Sequence, residues 1–424
     1  MTPKVTGGNN MSRLQISRRG IVAATLAAPA ILGRRARAAG TIQMISHRYP
    51  ALEYYAEKMR TAIPGVTVNT QLMPIDKALE LATIAMSSKS DTFDIIYASD
   101  TSFQTFVKNG WFRPLDDLWA KYRDEFKLDD FPESVRKTYM HDGHLYVMPH
   151  TLNTMMFYYR KDLFDAAGKL PPKTFPEYRD LVKSFNSPLR SGNVSCLKPV
   201  DAAINEAHWY FNAIGDGWFD EDWKPMFNDA KGVQAIQMMQ EITKYAQQGF
   251  TAAANDECMI AYQQDTGVMG LQWATRAKAM DDPTKSRVVG KIDWVAPPQG
   301  HARNSSDGYA ISAFSKQDPD TLFRIIATSA SQASMRGAAS LLIPPRKSLL
   351  DDAELKQANR FYPAALASYE TGLAAPSLPE FYAVGEFITR RILQAVTGEL
   401  PVKQALDTAG NETTDFLKGH GYYK

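Results

Sequence analysis

Two cysteines in 424 residues are too few for a disulfide framework. Cys196 and Cys258 can form one bridge outside the cell, or stay free in a chain folded in a reducing compartment, and the sequence leaves both open. The apolar run at residues 21–32 is about twelve residues long, short of the roughly 20 that span a bilayer. There is no phosphate-cradling glycine loop, no G-x-S-x-G turn, no tandem repeat and no low-complexity linker. His141 and His144 share one turn but lack a third ligand at metal-site spacing. Tyr158 and Tyr159 lie in a strand-like run, where neighbours face opposite ways and cannot easily share one metal. No cofactor is expected.

Net charge is also nearly absent, at +2, but it is unevenly spread. Residues 1–38 hold seven Lys and Arg and no acid, so the remainder carries five net negative charges. An acidic body offers nothing to nucleic acid or an anionic membrane. The basic start reads as an export signal: Arg18-Arg19, the short apolar run, then Ala36-Arg37-Ala38 as a cleavage site. Paired arginines resemble a twin-arginine signal, and Met11 is an alternative start because residues 1–10 add nothing to it. With no cysteine at the cleavage site, a soluble periplasmic protein without a lipid anchor is expected.

At about 150 residues per domain, the length suggests two or three domains. The mature chain begins strand, helix, strand, helix, strand: residues 41–46, a face of Leu52, Tyr55, Ala56 and Met59, alternating Val66, Val68, Thr70 and Leu72, a second helix with Leu79, Ala82 and Met86, and residues 93–98. This alternation predicts an α/β architecture with a parallel sheet and covering helices. Ligands of such sheets sit beyond the carboxyl ends of the strands, where His47, Arg48 and Tyr49 follow the first strand and Asp100 follows the third. Residues 141–164 read as two strands split by Pro149, a passage between domains.

Several segments, in order, carry a family resemblance. Residues 93–100 (FDIIYASD) and 106–115 (FVKNGWFRPL) come first. Asp142-Gly143-His144, Tyr146, Pro149 and residues 159–164 (YRKDLF) follow, then Pro171-Pro172-Lys173-Thr174 before a helix at 175–185. Next are residues 267–273 (GVMGLQW), 294–298 (WVAPP), 307–312 (DGYAIS) and 342–347 (LIPPRK). Together they resemble the family 1 extracellular solute-binding proteins of ABC importers, which include the maltodextrin-binding proteins. The resemblance covers nearly all of the mature chain. It implies a two-lobed type II periplasmic-binding-protein fold, each lobe a mainly parallel sheet flanked by helices around a cleft. Lobe 1 is expected at 39–151 plus about 308–342, and lobe 2 at 152–307 plus about 343–424. The hairpin turn at His141–His144 is then structural.

Sugar recognition needs planar polar groups and an aromatic face. Asp100 stands at the family's matching position, with a helix N-cap as its other reading. His47 and Tyr49 are read as cleft residues or surface loop, and Trp273 as the site aromatic or core. Glu206 and His208 fall where the family places an aromatic on a second-lobe helix. Asn153 matches a ligand-contacting position of the maltodextrin binders. Asp307 and Arg346 lie at the other two crossings, as cleft residues or as hinge bonds. Where those binders carry a tryptophan, this chain has Gly385-Glu386, leaving Phe381 and Tyr382 as substitutes. That loss points to a mono- or disaccharide, or a polyol. The resemblance implies a monomeric, non-enzymatic binder that closes on its ligand and delivers it to an inner-membrane permease. An anionic sugar or sugar phosphate is one alternative, given Arg48, Arg346 and His47. A periplasmic glycoside hydrolase is another, with Asp100 and Glu206 or Asp307 as its carboxyl pair at about 5–9.5 Å.

Overall fold

The computed structural model describes residues 40–423, and the export signal expected at 1–38 lies outside them. Strand β1 (Thr41–His47) buries Ile42, Met44 and Ile45. The helix Pro50–Arg60 follows, with proline in its first turn and Leu52, Tyr55, Ala56 and Met59 inward. Then come β2 (Thr67–Met73), the helix Ile75–Ser87 and β3 (Ile95–Ser99), whose five residues are all buried. β1 and β3 pair in parallel, Met44 opposite Ile95, as the strand–helix alternation requires.

β4 (Met140–His141) and β5 (His144–Leu145) form the small hairpin. His144 turns to Asp116 at 3.2 Å, and among the described residues no three metal-ligating side chains converge. β6 (Val147–Arg160) runs for 14 buried residues, where the sequence predicts two strands broken at Pro149. The strand survives because its register against the returning strand shifts there. Thr151 opposes Asp307, Pro149 opposes Gly308, and His150 is the extra residue of a bulge. Gly308 is needed at this point, since a Cβ would lie 2.4 Å from the Met148 carbonyl oxygen.

The remaining strands are β7 (Ser191–Val194), β8 (Gly267–Trp273), β9 (Ile292–Val295) and β10 (Asn304–Ile311). The sheet order is β2-β1-β3-β10-β6-β8-β7, with β9 also on β6. Pairing is parallel towards the ends, at β1/β3 and β7/β8, and antiparallel in the middle. The chain leaves the first half on β6 and returns on β10 beside it, so these neighbours must run in opposite directions. Two apolar cores flank this crossing, one around β1–β3 and one around Phe157, Tyr178 and Trp209. Leu349, Phe361, Tyr362 and Ala365 pack with the first core, and Leu378 and the residues after it with the second.

Two helices close the chain, Phe381–Val396 and Val402–Gly419. Gly385 lets the first of them press on the helix Asp201–Ala213, because a Cβ there would meet Ile204 Cδ1 at 2.3 Å. No described helix is long and apolar enough to cross a membrane. Cys196 and Cys258 are joined, their Cα atoms 6.1 Å apart, within the usual span of a disulfide.

Candidate functional site

A cavity of about 330 Å³ lies at the carboxyl ends of β1 and β3. One wall is His47, Arg48 and Tyr49 after β1 with Ser99 and Asp100 after β3. The facing wall combines the start of the helix Asp201–Ala213, residues 254–257, Trp273, Arg276 and Tyr382. Asn153, Arg303, Ser305 and Asp307, on or next to the crossing strands, line it between them. Seven residues singled out from sequence therefore converge: His47, Tyr49, Asp100, Asn153, Trp273, Asp307 and Tyr382.

Asp100 is not the helix cap. Ser99 takes that place through a reciprocal bond with Ser102, which leaves the Asp100 carboxylate to Arg303 Nη2 (2.7 Å) and Ser305 Oγ (3.1 Å). Asp307 is 5% exposed and has no cation partner. Its carboxylate accepts from Tyr49 (2.5 Å), Tyr97 (2.7 Å) and Thr151 (3.3 Å). Burial raises its pKa, the hydroxyls oppose the rise, and the charge of Asp100 adds to it. His47 is pushed down to about 4 by burial and then by Arg276, so it is neutral near pH 7.

Opposite, Tyr382 donates to Asp201 at 2.9 Å, and Asn255 donates to the other carboxylate oxygen at 3.2 Å. Arg276 spans the walls: it pairs with Asp256 at 3.1 Å and lies 5.3 Å over the Tyr49 ring. Asn153 donates weakly to Thr275, at 3.4 Å. Trp273 ends β8, fixed through its carbonyl by the Tyr158 hydroxyl (2.7 Å).

Three expected site residues lie elsewhere. On the helix Asp201–Ala213, Asp201 and Asn205 line the cavity four residues apart, and Glu206 is turned about 100° further round. Glu206 instead accepts from Cys196 N (2.6 Å) and Ser195 Oγ (2.8 Å), and burial lifts its pKa to about 7. His208 accepts from Trp218 Nε1 (3.1 Å) inside the second core, where burial holds it neutral. Arg346 is fully buried in the first half, donates to the carbonyls of Ala330, Lys127 and Phe126, and covers Phe131. A guanidinium satisfied by three carbonyls and by the Asp130 carboxylate at 3.4 Å has no freedom to take a ligand in the cleft.

Sequence reasoning missed Tyr97, Asp201, Arg276 and Arg303. Arg276 follows the aromatic Trp273 by three residues and Arg303 precedes Asp307 by four, so both adjoin recognised segments. Their charges carried no periodic signal.

The profile of the bacterial extracellular solute-binding proteins matches residues 46–332. The chain belongs to this family. A mannitol-binding protein of Pseudomonas aeruginosa is 24% identical over 396 residues, 85% of this chain and 88% of the relative. Among solved structures, an ABC-transporter solute-binding protein of Agrobacterium radiobacter in complex with ribitol superposes with a TM-score of 0.81 at 23% identity, covering 89% of this chain and 99% of that one. Another, from Agrobacterium vitis with bound D-mannitol, gives 0.80 at 23% identity, over 91% and 100%. At such identities the structures establish the fold, the two-lobed type II α/β architecture.

Proposed function

We propose that the protein is the periplasmic substrate-binding component of an ABC importer and that it captures an uncharged polyol or a mono- or disaccharide. The observation that carries this reading is the cleft's small volume with an excess of acids. About 330 Å³ is near the lower end of the ~300–1,000 Å³ typical of ligand pockets. Six acids line it (Asp76, Asp100, Asp201, Asp256, Glu257, Asp307) against four bases (Arg48, Lys198, Arg276, Arg303). Two of those bases are already paired with acids, and His47 is neutral. Such a lining disfavours a uronate or sugar phosphate and favours hydroxyl groups, which both donate and accept. The mannitol-binding relative and the ribitol- and mannitol-bound neighbours point to the same ligand class.

A hydrolase reading is less well supported. Asp100 and Asp307 have their carboxylate oxygens engaged by neighbouring side chains, so neither is free to protonate a glycosidic oxygen. Ligand capture needs only closure: a solute touching both walls stabilises the closed state, which a permease then reads. Lys108 at the first wall's helix meets Glu380 at 3.0 Å, a contact between the halves that would accompany closure. The test is calorimetry against ribitol, D-mannitol, neutral mono- and disaccharides, sugar phosphates and maltodextrins, with product analysis. Stoichiometric heat from a small neutral ligand without turnover supports the reading; released sugar, or tightest binding of a phosphate or maltodextrin, overturns it.

A further inference from the structure

Among the buried groups of the cleft, Asp307 combines features that a simple hinge bond does not need. It stands on β10 opposite Ser99 of β3 and Thr151 of β6, at the bulge where three strands meet. No cation neutralises it, and its three side-chain donors are all hydroxyls. Two of them, on Tyr49 and Tyr97, belong to residues lining the cavity. A phenol has one proton to give, and here both protons are spent on Asp307. What each phenol oxygen has left is a lone pair. Nearby, Arg303 Nε and Nη1 are buried without a partner, so unused donors also adjoin the cleft.

We propose that Asp307 is a specificity-determining positioning residue: by taking the protons of Tyr49 and Tyr97 it fixes both phenol oxygens as acceptors, so that the cleft selects ligands presenting hydroxyl donors there. This rests on the polyol or neutral-sugar reading of the cleft. A carbonyl, ether or carboxylate oxygen at the same position would face a lone pair and gain nothing. A hydroxyl donates to the tyrosine and still accepts from a neighbouring N–H, which fits the mixed lining. Arg276, over the Tyr49 ring, helps keep that ring in place from the opposite wall.

The test has a ligand-free arm and a ligand arm. Raman difference spectra of wild type minus Tyr49→Phe, and of wild type minus Tyr97→Phe, isolate the two tyrosine doublets while leaving Asp307 intact. Each is expected to show a strong hydrogen-bond donor. In Asp307→Asn the side-chain oxygen can still accept from one phenol, but the amide NH2 must donate to the other, so at least one doublet should lose its donor character. Weak-donor doublets in the wild type, or identical doublets in both backgrounds, overturn the proposal. In the second arm D-mannitol is compared with its monodeoxyfluoro analogues, whose fluorine accepts weakly and cannot donate. At least one analogue should bind wild type about 10-fold more weakly. That penalty should shrink in Asp307→Asn and in Tyr49→Phe or Tyr97→Phe. A penalty unchanged in all three overturns the proposal. If wild type binds no polyol or sugar at all, the ligand reading fails, and the Raman arm still decides whether Asp307 sets the tyrosine protons.

Discussion

Replacing Glu206 by Gln should stabilise the protein at mildly alkaline pH and do little in acid. Glu206 is buried without a cation, and its pKa rises from 4.5 to about 7. Below the unfolded value both states hold the proton and nothing is lost. As pH rises from about 4.5 to 7, the unfolded chain ionises while the folded protein keeps its proton, so stability falls; above the folded pKa the loss is constant. The shift corresponds to at most about 3 kcal/mol, of which less than about 1 is incurred by pH 5. Glutamine keeps the same neighbours: its oxygen accepts from Cys196 N, and its NH2 faces Ser195 Oγ, where the bond must reverse because that hydroxyl donates to Glu206; any such cost is independent of pH. His47 and His150, held at about 4 and about 3, are destabilised as pH falls through 6.5, but both proteins carry them and they cancel in the difference. Denaturant unfolding of both proteins across about pH 5 to 8 should give a stability difference that grows by about 2 kcal/mol or more. A constant difference would show that Glu206 is not desolvated as described.

Asp100→Ala should destabilise by about 3–5 kcal/mol and weaken ligand binding, because Arg303, with 3% side-chain exposure, loses its anion; denaturant titration and calorimetry read the two effects. Reducing the Cys196–Cys258 bridge, which closes a 62-residue separation, should cost about 4 kcal/mol by loop entropy. It should also weaken binding, since residues 198–202 just after Cys196 and 254–257 just before Cys258 line the cleft, and a thermal melt with and without ligand measures both. Gly308→Ala should cost about 1–3 kcal/mol, because both close neighbours, the Met148 carbonyl and the Val147 side chain, belong to the paired strand; an unchanged denaturation midpoint would mean the crossing can yield there.

Much of the fold was legible because it obeys short-range rules. β1 to β3 follow from alternation and apolar runs, and the helix Phe175–Phe185, expected from the family resemblance, starts at the residue after the Thr174 cap. Pro149 misled because a bulge that absorbs a missing N–H depends on β10, about 150 residues away. The candidate site was legible where a residue ends or soon follows a strand, as with Tyr49, Asp100 and Trp273. It failed for Glu206 and His208, where helix rotation decides which face meets the cleft, and for Arg346, whose partners, three carbonyls and the distant Asp130, leave no sequence signature. The missing tryptophan at Gly385 has a packing cause: a side chain there would displace Ile204, which itself lines the cavity.

The most direct measurement is titration calorimetry of the purified protein with ribitol and D-mannitol beside glucose 6-phosphate, maltose and maltotetraose. The expected result is one ligand per chain, tightest for a small uncharged polyol or sugar, with no product formed. Preferential binding of the phosphate or of the longest maltodextrin would contradict the reading of the cleft.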